Sequence, residues 1–509
     1  MFIMKHKVDP LQSGLFDPER NHFSRVGYNR LQQGWQGIFR RSLLAVMPVE
    51  ELGESFSSDT GRRTKELYSM AGLLVIAEMR NWTSAEAAEA YMFDLSVQYA
   101  LNVGHHAVEL SSRTVERYQR LFREKELAQD VFERVTQALI EEFEIEVDKQ
   151  RLDSTHLFSN MANLTRTQLM RVCVRRFLIQ LKRHWNREYA QLDGAFRDRC
   201  MVSEKRAFSQ KASESQPRVE LRQQAAEDLL LLIDRFAGHE RIVNMTSYQA
   251  MVRVFQEQCE VVGEKVTLRK KPGGRTMQNP SDPDATYDGH KGKGYQVQMA
   301  ETCNPDNPVQ LITCAIPQTA ADDDGEALAP VVAHLEAADL KPKELLADTL
   351  YGSDRNQQLC ESKDIELLAP VRGPKPKKGL PPITDVQKRL AARREMEQTD
   401  EWKQRYKLRA GIEGTHSGAK RKVEVGKLRV RGKPSVSNVV LLKLTGWNIF
   451  RAAAAMMRKG KRPIKGQKAT STRDILVWLT TFGLRLLDLT GLLHPQRPHP
   501  MPAPTLLAA

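Results

Sequence analysis

The run from Tyr406 to Lys420 holds the residues whose types and spacing best suit chemistry. Steps of three, four and seven residues separate Tyr406, Arg409, Glu413 and Lys420. Because an α-helix repeats every 3.6 residues, a helix over this run would bring all four to one face. A lone carboxylate among an aromatic ring and two cations is typical of a metal-binding acid held against a phosphate backbone. The alternative is a solvated basic helix with an incidental Glu.

The distribution of charge favours the first interpretation. The chain has 77 Lys and Arg against 63 Asp and Glu, a net charge of +14. Residues 401–470 hold 19 basic and 3 acidic residues, a net of +16, so the remainder is 58 minus 60, or −2. All of the positive excess surrounds or follows Glu413, which is the electrostatic pattern expected of a surface that binds nucleic acid.

Composition excludes several classes of protein. With 509 residues, 41% hydrophobic and 28% charged, the chain should form two to four soluble globular domains. Six cysteines without a Cys-x-x-Cys pair, and no signal-peptide pattern, predict a reducing cytoplasm. The apolar stretch 475–493 contains Arg485 and Asp488 and predicts an amphipathic helix, not a membrane span. Without a phosphate-binding loop of the Walker type, an ATP-driven reaction is not expected.

Two further carboxylates follow segments with strand character. Alternating apolar and acidic residues over 143–147 predict a strand that ends at Asp153. The apolar run 344–347 predicts another strand that ends at Asp348. Between them lie a long helical stretch, a hairpin over 294–314 and a helix. Another strand and the helix of Glu413 follow.

This order of elements predicts an α/β fold with an RNase H-like mixed sheet. A helical insertion follows the first strand, and an all-helical domain precedes the sheet. The predicted boundaries are an N-terminal helical DNA-binding domain at 1–140, the RNase H-like domain at 141–160 and 261–455, the insertion at 161–260, and a basic linker with a final helix and tail at 456–509.

On these residues the chain resembles bacterial insertion-sequence transposases of the DDE type. Its late motif matches all four positions of the Tyr-x2-Arg-x3-Glu-x6-Lys (YREK) signature. The two family aspartates correspond to Asp153 in Leu-Asp-Ser-Thr and to Asp348 in Leu-Ala-Asp-Thr-Leu-Tyr-Gly. The stretch from Asp282-Pro-Asp284-Ala to the strand at 294–298 also resembles the family's hairpin region. The resemblance covers residues 60–455.

The resemblance implies a cut-and-paste type of DNA transposase that hydrolyses a phosphodiester at the transposon ends and transfers the strand into target DNA. Asp153, Asp348 and Glu413 would hold two Mg²⁺ or Mn²⁺ ions. The partners would be terminal inverted repeats, target DNA and a second copy of the chain, with no membrane. Action would take place in the bacterial cytoplasm, at the nucleoid. Expected DNA contacts are Tyr406, Arg409, Lys420, Lys427, Arg429 and Arg431.

Several alternatives stay open at the level of single residues. Asp153 could cap a turn, and Asp288 or Asp354 could replace Asp348, although Asp354 is more simply an N-cap. Asp282 and Asp284 could fix the nearby hairpin or tune the site. Zinc is disfavoured at His156 and His416, because hard carboxylates lie nearby and no cysteine does.

Two rival functions also remain open. A metal-dependent nuclease or resolvase on the same fold would cut DNA without joining it. A DNA-binding protein derived from a transposase would do neither, but it would have no need for three converging acids.

Overall fold

The computed structural model describes residues 10–11, 22–57, 64–103, 109–202, 218–263, 265–373 and 384–461. Helices and strands are numbered in chain order within these ranges. One compact unit spans Met1–Met457, and a second spans Arg458–Ala509. The predicted helix over 475–493 and most of the predicted linker lie outside the described residues.

Helices fill the described chain before the first strand. Several of them start at a side-chain cap, such as the reciprocal capping box of Thr83 with Glu86. The first 60 residues have no clear periodicity in the sequence, yet their described part, 22–57, forms short helices around buried Phe39 and Leu43. The helices are α1 Arg25–Gln33, α2 Trp35–Ile38, α3 Val49–Gly53, α4 Leu67–Arg80, α5 Ser84–Phe93, α6 Leu95–Ala100, α7 Ser112–Glu124 and α8 Leu127–Phe143.

The strand predicted over 143–147 is wrong, because helix α8 continues to Phe143. Glu144 adopts a left-handed conformation with φ 51° and ends the helix. The amide of Ile145 then donates to the carbonyl of Ile140 at 3.0 Å, the closing bond of a Schellman cap. The buried residue Ile145 therefore belongs to the end of a helix and not to a strand.

A six-stranded mixed sheet lies at the centre. Its strands are β1 Lys149–Leu157, β4 Thr286–Asp288, β5 Gly292–Thr302, β6 Ile312–Thr319, β7 Glu344–Ala347 and β8 Glu366–Leu368. Their order is β4-β5-β1-β7-β8, with β6 also paired to β5. Strands β4, β6 and β1 pair antiparallel with β5, whereas β1, β7 and β8 are parallel.

The segment between β1 and β4 is mainly helical and has its own apolar core. A small hairpin, β2 Cys259–Val262 with β3 Lys265–Leu268, closes it; the sequence did not indicate this hairpin. The helices are α9 Arg166–His184, α10 Asn186–Ala190, α11 Gly194–Met201, α12 Arg218–Phe236 and α13 Thr246–Gln258.

The remaining helices are α14 Leu328–Ala337, α15 Asp354–Glu361, α16 Asp385–Met396, α17 Asp400–Tyr406, α18 Gly411–Lys422 and α19 Lys433–Lys461. In the described chain, one helical stretch, Lys433–Arg458, is long and apolar enough to cross a membrane, but 72% of its apolar window is buried inside the protein. Buried Lys443 of α19 donates to Asn81 and to the carbonyl of Val423. It thereby joins the end of α4 to the end of α18.

A single apolar core extends from the N-terminal helices through the sheet to α19. The helices before β1 therefore pack directly on the sheet and share its interior. The domain boundaries drawn from the sequence remain a prediction.

Candidate active site

Asp153 and Asp348 emerge side by side from the parallel strands β1 and β7. Leu152 lies opposite Ala347 in the last parallel pair, so the next residue of each strand is an acid. The prediction that the strand ends at Asp153 is wrong. Asp153 lies in the middle of β1, because antiparallel pairing with β5 continues to Leu157. Asp348 follows β7 directly, as predicted.

Glu413 lies in the first turn of α18, where the helix dipole favours a carboxylate. The predicted single helix through the motif is interrupted. Helix α17 ends at Tyr406, a 3₁₀ turn spans Lys407–Ala410, and α18 starts at Gly411. The tighter 3₁₀ turn contains Arg409, which still reaches Glu413 four residues later.

Two glycines let α18 approach its neighbours. A Cβ on Gly411 would lie 1.9 Å from Nη1 of Arg151, and one on Gly418 would lie 2.3 Å from the ring of Trp447. A Cβ on Gly414 would meet nothing within 4 Å. Close packing against β1 and α19 thus explains two glycines that otherwise weaken the helix by about 1 kcal/mol each.

A fully buried carboxylate, that of Glu301 on β5, fixes α18 to the sheet. It pairs with Arg151 at 2.6 Å and with Arg451 at 2.5 Å, and it accepts a hydrogen bond from Thr415 Oγ1 at 2.6 Å. Arg151 also donates to the carbonyl of Leu408 at 2.8 Å. Contacts to the sheet therefore hold the chain on both sides of Glu413, at Thr415 after it and at Leu408 before it.

The guanidinium of Arg409 lies among all three acids. Its Nη2 is 2.9 Å from Asp153 Oδ2 and 4.0 Å from Asp348 Oδ2, and its Nη1 is 2.9 Å from Glu413 Oε1. Side-chain exposure rises from 15% for Asp153 to 30% for Asp348 and 68% for Glu413. The group therefore opens to solvent on the Glu413 side.

The chemistry of this donor set suits hard divalent cations, which prefer carboxylate oxygens. In the present conformation, no three acidic, histidine or cysteine side chains among the described residues converge closely enough to hold a metal ion. The guanidinium of Arg409 occupies the space between the carboxylates. Metal binding by these acids would therefore require Arg409 to withdraw from them.

Burial raises the pKa of Asp153 to about 6. The carboxylates of Asp348 and Asp324 add to the increase, whereas Arg409 and the amide of Ser154 oppose it. A carboxyl group near half-protonation at pH 6 gives the site a protonation step close to neutral pH, and a bound cation would displace that proton.

Tyr406 stacks on Trp402, with ring centroids 4.6 Å apart and planes at 19°. Both rings pack on a small apolar cluster that includes Leu346 and Leu368. The ring of Tyr406 is thus half-buried at the edge of this cluster. Burial and nearby Asp348 raise the pKa of its hydroxyl.

A shallow cleft of about 560 Å³ opens beside Glu413 and is lined by Thr155, His416, Ser417, Lys420 and Arg421 as well. Lys420 is exposed there, as a phosphate contact would require. Burial, with Lys420 adding to it, lowers the pKa of His416 to about 3, so this imidazole is neutral. Its Nε2 is buried without a hydrogen-bond partner in the described structure.

The basic segment, defined as residues 427–433, continues along the end of β1. The amide of Leu428 donates to the carbonyl of Phe158 at 2.8 Å, and that of Asn160 donates to Val430 at 3.0 Å. Its predicted DNA contacts, Lys427, Arg429 and Arg431, are all exposed. The segment also forms a parallel bridge between Phe158 and Lys427.

Buried Asp324 was not among the residues that the sequence singled out. It pairs with Lys291 at 2.6 Å and accepts from Gln298 at 2.9 Å. Lys291 also donates to Ser154, the neighbour of Asp153, at 2.9 Å. Glutamines at 296 and 298 within an apolar strand were the available signal, since buried amides need buried partners.

The rival acids have other tasks. Asp354 is the first residue of α15, and Ser353, not Asp354, is its N-cap. Asp354 instead pairs with Arg389 at 2.6 Å. Asp288 accepts hydrogen bonds from the amides of His290 and Lys291 in the turn before β5.

The comparison with known families concerns the last part of the chain that contributes to the site. A model of the transposase DDE domain matches residues 373–453. The match supports a DDE transposase. The matched stretch contains Glu413 and the basic segment and lies after the other two acids of the site. No curated protein and no solved structure matches the chain.

Proposed function

We propose that the protein is the DNA transposase of a bacterial insertion sequence and uses Asp153, Asp348 and Glu413 for metal-dependent strand cleavage and strand transfer. The observation that carries the proposal is the meeting of these three acids at Arg409, within 4.0 Å of its guanidinium. The order of the five main strands, β6-β5-β1-β7-β8, supports an RNase H-like core. The match to a transposase DDE domain over 373–453 supports the coarser assignment as a transposase.

In this proposal Asp153, Asp348 and Glu413 hold two Mg²⁺ or Mn²⁺ ions, which when bound activate the attacking oxygen and stabilise the leaving oxygen. Asp153, being buried, must lose its proton before it can act as a ligand. Arg409 would move from the acids to a DNA phosphate, to which a guanidinium can donate two hydrogen bonds.

DNA would enter over the open side of Glu413. Lys420 and the cations of the basic segment would contact its backbone, and Tyr406 could reach a sugar from the edge of its apolar cluster. Two transposon ends must be brought together for strand transfer, so we propose a dimer or larger assembly on terminal inverted repeats and target DNA. Cytoplasmic action at the bacterial nucleoid follows from that substrate.

The test is cleavage of a supercoiled plasmid that carries the element's own ends, in Mg²⁺, Mn²⁺ or EDTA. Wild type should nick or excise at the ends only with metal. Asp153→Asn and Glu413→Gln should not cleave, yet both should still bind end DNA because each retains every cation. Asp306→Asn, an exposed acid in the turn before β6, is the matched control and should cleave normally.

Joined products from paired ends would separate a transposase from a nuclease of the same fold. Cleavage without joining would favour the nuclease. Binding without cleavage in either metal would favour the DNA-binding descendant. If Glu413→Gln lost binding together with cleavage, the ligand role of this residue would be refuted.

A further inference from the structure

The Asp-Pro-Asp motif at 282–284 caps the helix that follows the basic segment. Asp282 Oδ1 accepts a hydrogen bond from the amide of Gly432 at 3.0 Å, and Asp284 Oδ2 accepts one from the amide of Lys433 at 2.9 Å. These amides begin α19, where backbone donors lack partners within the helix and the helix dipole favours anions. The two carboxylates therefore act as N-caps supplied from about 150 residues earlier in the chain.

The motif itself is firmly placed. Asp282 is fully buried and also accepts a hydrogen bond from Tyr295 of β5 at 2.5 Å. Helices of the insertion hold the same loop, since Arg253 donates to the carbonyl of Pro283 at 2.9 Å and Arg176 to Ser281 at 2.8 Å. The caps thus connect the sheet and the insertion to the start of α19.

The basic segment is held at both ends as a result. Its first residues are bonded to the extension of β1 at Phe158. Its last residues, Gly432 with φ 78° and Lys433, are bonded to the motif. Between these two anchors, the exposed side chains of Lys427, Arg429 and Arg431 are presented from a defined backbone.

Electrostatics alone would not place carboxylates here. An acid beside a surface that contacts phosphate repels the ligand, so removal of its charge should strengthen DNA binding. A gain in backbone order must outweigh that repulsion if the acids contribute to binding.

We infer that Asp282 and Asp284 are positioning residues that fix the basic segment for contact with the DNA backbone. The inference rests on the proposed function, because it assumes that this segment binds DNA. It assigns a task to an acidic motif that takes no part in the metal site.

The experiment measures binding of the full chain to a duplex carrying the element's end, over a series of salt concentrations. Asp284→Ala removes the acceptor and the charge, whereas Asp284→Asn removes only the charge and keeps an oxygen acceptor. The inference predicts several-fold weaker binding for Asp284→Ala, with a salt slope smaller by about 0.9 for each phosphate that the variant no longer neutralises. Asp284→Asn should bind at least as well as wild type.

Asp282→Ala should act in the same direction as Asp284→Ala, but burial of Asp282 puts its folding at risk. Asp284 is exposed and supplies the variant that should fold. Asp306→Ala, at an exposed acid outside the motif, controls for loss of a negative charge. Hydrogen exchange without DNA should reveal faster exchange of the Gly432 and Lys433 amides in Asp282→Ala and in Asp284→Ala.

Equal or tighter binding by Asp284→Ala, or wild-type exchange at Gly432 and Lys433, would overturn the inference while the proposed function stands. If wild type failed to bind end DNA at all, the proposed function would fall and the positioning role with it. Weaker binding by Asp284→Ala that Asp284→Asn restores would establish the role.

Discussion

Asp153 should destabilise the folded protein at neutral pH, and Asp153→Asn should remove that penalty. The pKa of this carboxyl is raised by burial from 3.8 to about 6. Because the folded pKa is the higher one, the folded state favours the protonated acid, and stability is lost as pH rises from about 4 to 6. The difference between the folded and unfolded pKa values destabilises the folded protein by about 3 kcal/mol at pH 7.5 and by well under about 1 kcal/mol at pH 4.

Asparagine cannot ionise and keeps the approximate shape of the side chain. Urea unfolding in EDTA, followed from pH 4 to pH 8, should therefore find Asp153→Asn increasingly more stable than wild type, by about 3 kcal/mol at the upper end. Asp306→Asn should follow the wild-type curve. If Asp153→Asn were no more stable than wild type at any pH, the argument would be refuted. That argument holds that burial affects the pKa of Asp153 more than its ion pair with Arg409 does.

Three other changes test the support around the site. Gly411→Ala should destabilise the protein by about 1–3 kcal/mol in thermal unfolding, because its Cβ would displace Arg151. Gly414→Ala should instead stabilise the protein by up to about 1 kcal/mol. Equal effects of the two substitutions would contradict the explanation by packing. Glu301→Gln should cost about 3–5 kcal/mol in urea unfolding by leaving buried cations uncompensated, and an unchanged midpoint would refute its role. Burial lowers the pKa of His416 to about 3, so the folded protein keeps its full stability above pH 6.5 and loses stability as the pH falls and the unfolded chain takes up a proton. Glutamine cannot take up this proton, so in urea unfolding His416→Gln should lose less stability than wild type between pH 7 and pH 5. Equal losses of stability in the two proteins would contradict this.

In the proposed function Arg409 has two tasks. In the structure its guanidinium pairs with Asp153 and Glu413 and offsets the repulsion between the acids. The same group is suited to a phosphate once cations replace it. The proposed exchange accounts for an arginine beside the proposed metal ligands without assigning it a part in the chemistry.

The sequence by itself identified the residues of the candidate site. The spacing of the late motif, the apolar run before Asp348 and the concentration of positive charge after Glu413 are local features, and each could be recognised without knowledge of the fold. The order of strands and helices also follows from local periodicity, which is why the mixed sheet and the helical insertion were predicted.

Only the tertiary structure decided how these residues meet. Whether Asp153 ends a strand depends on its pairing with β5, which no local pattern encodes. Glu301 and Asp282 bind partners more than a hundred residues away in the sequence. The role of Asp324 depends on its buried neighbours. Neither kind of contact can be read from local sequence. Burial of a charge is a property of the packed molecule, so residue types and spacing could propose the three acids but could not predict that Arg409 lies between them.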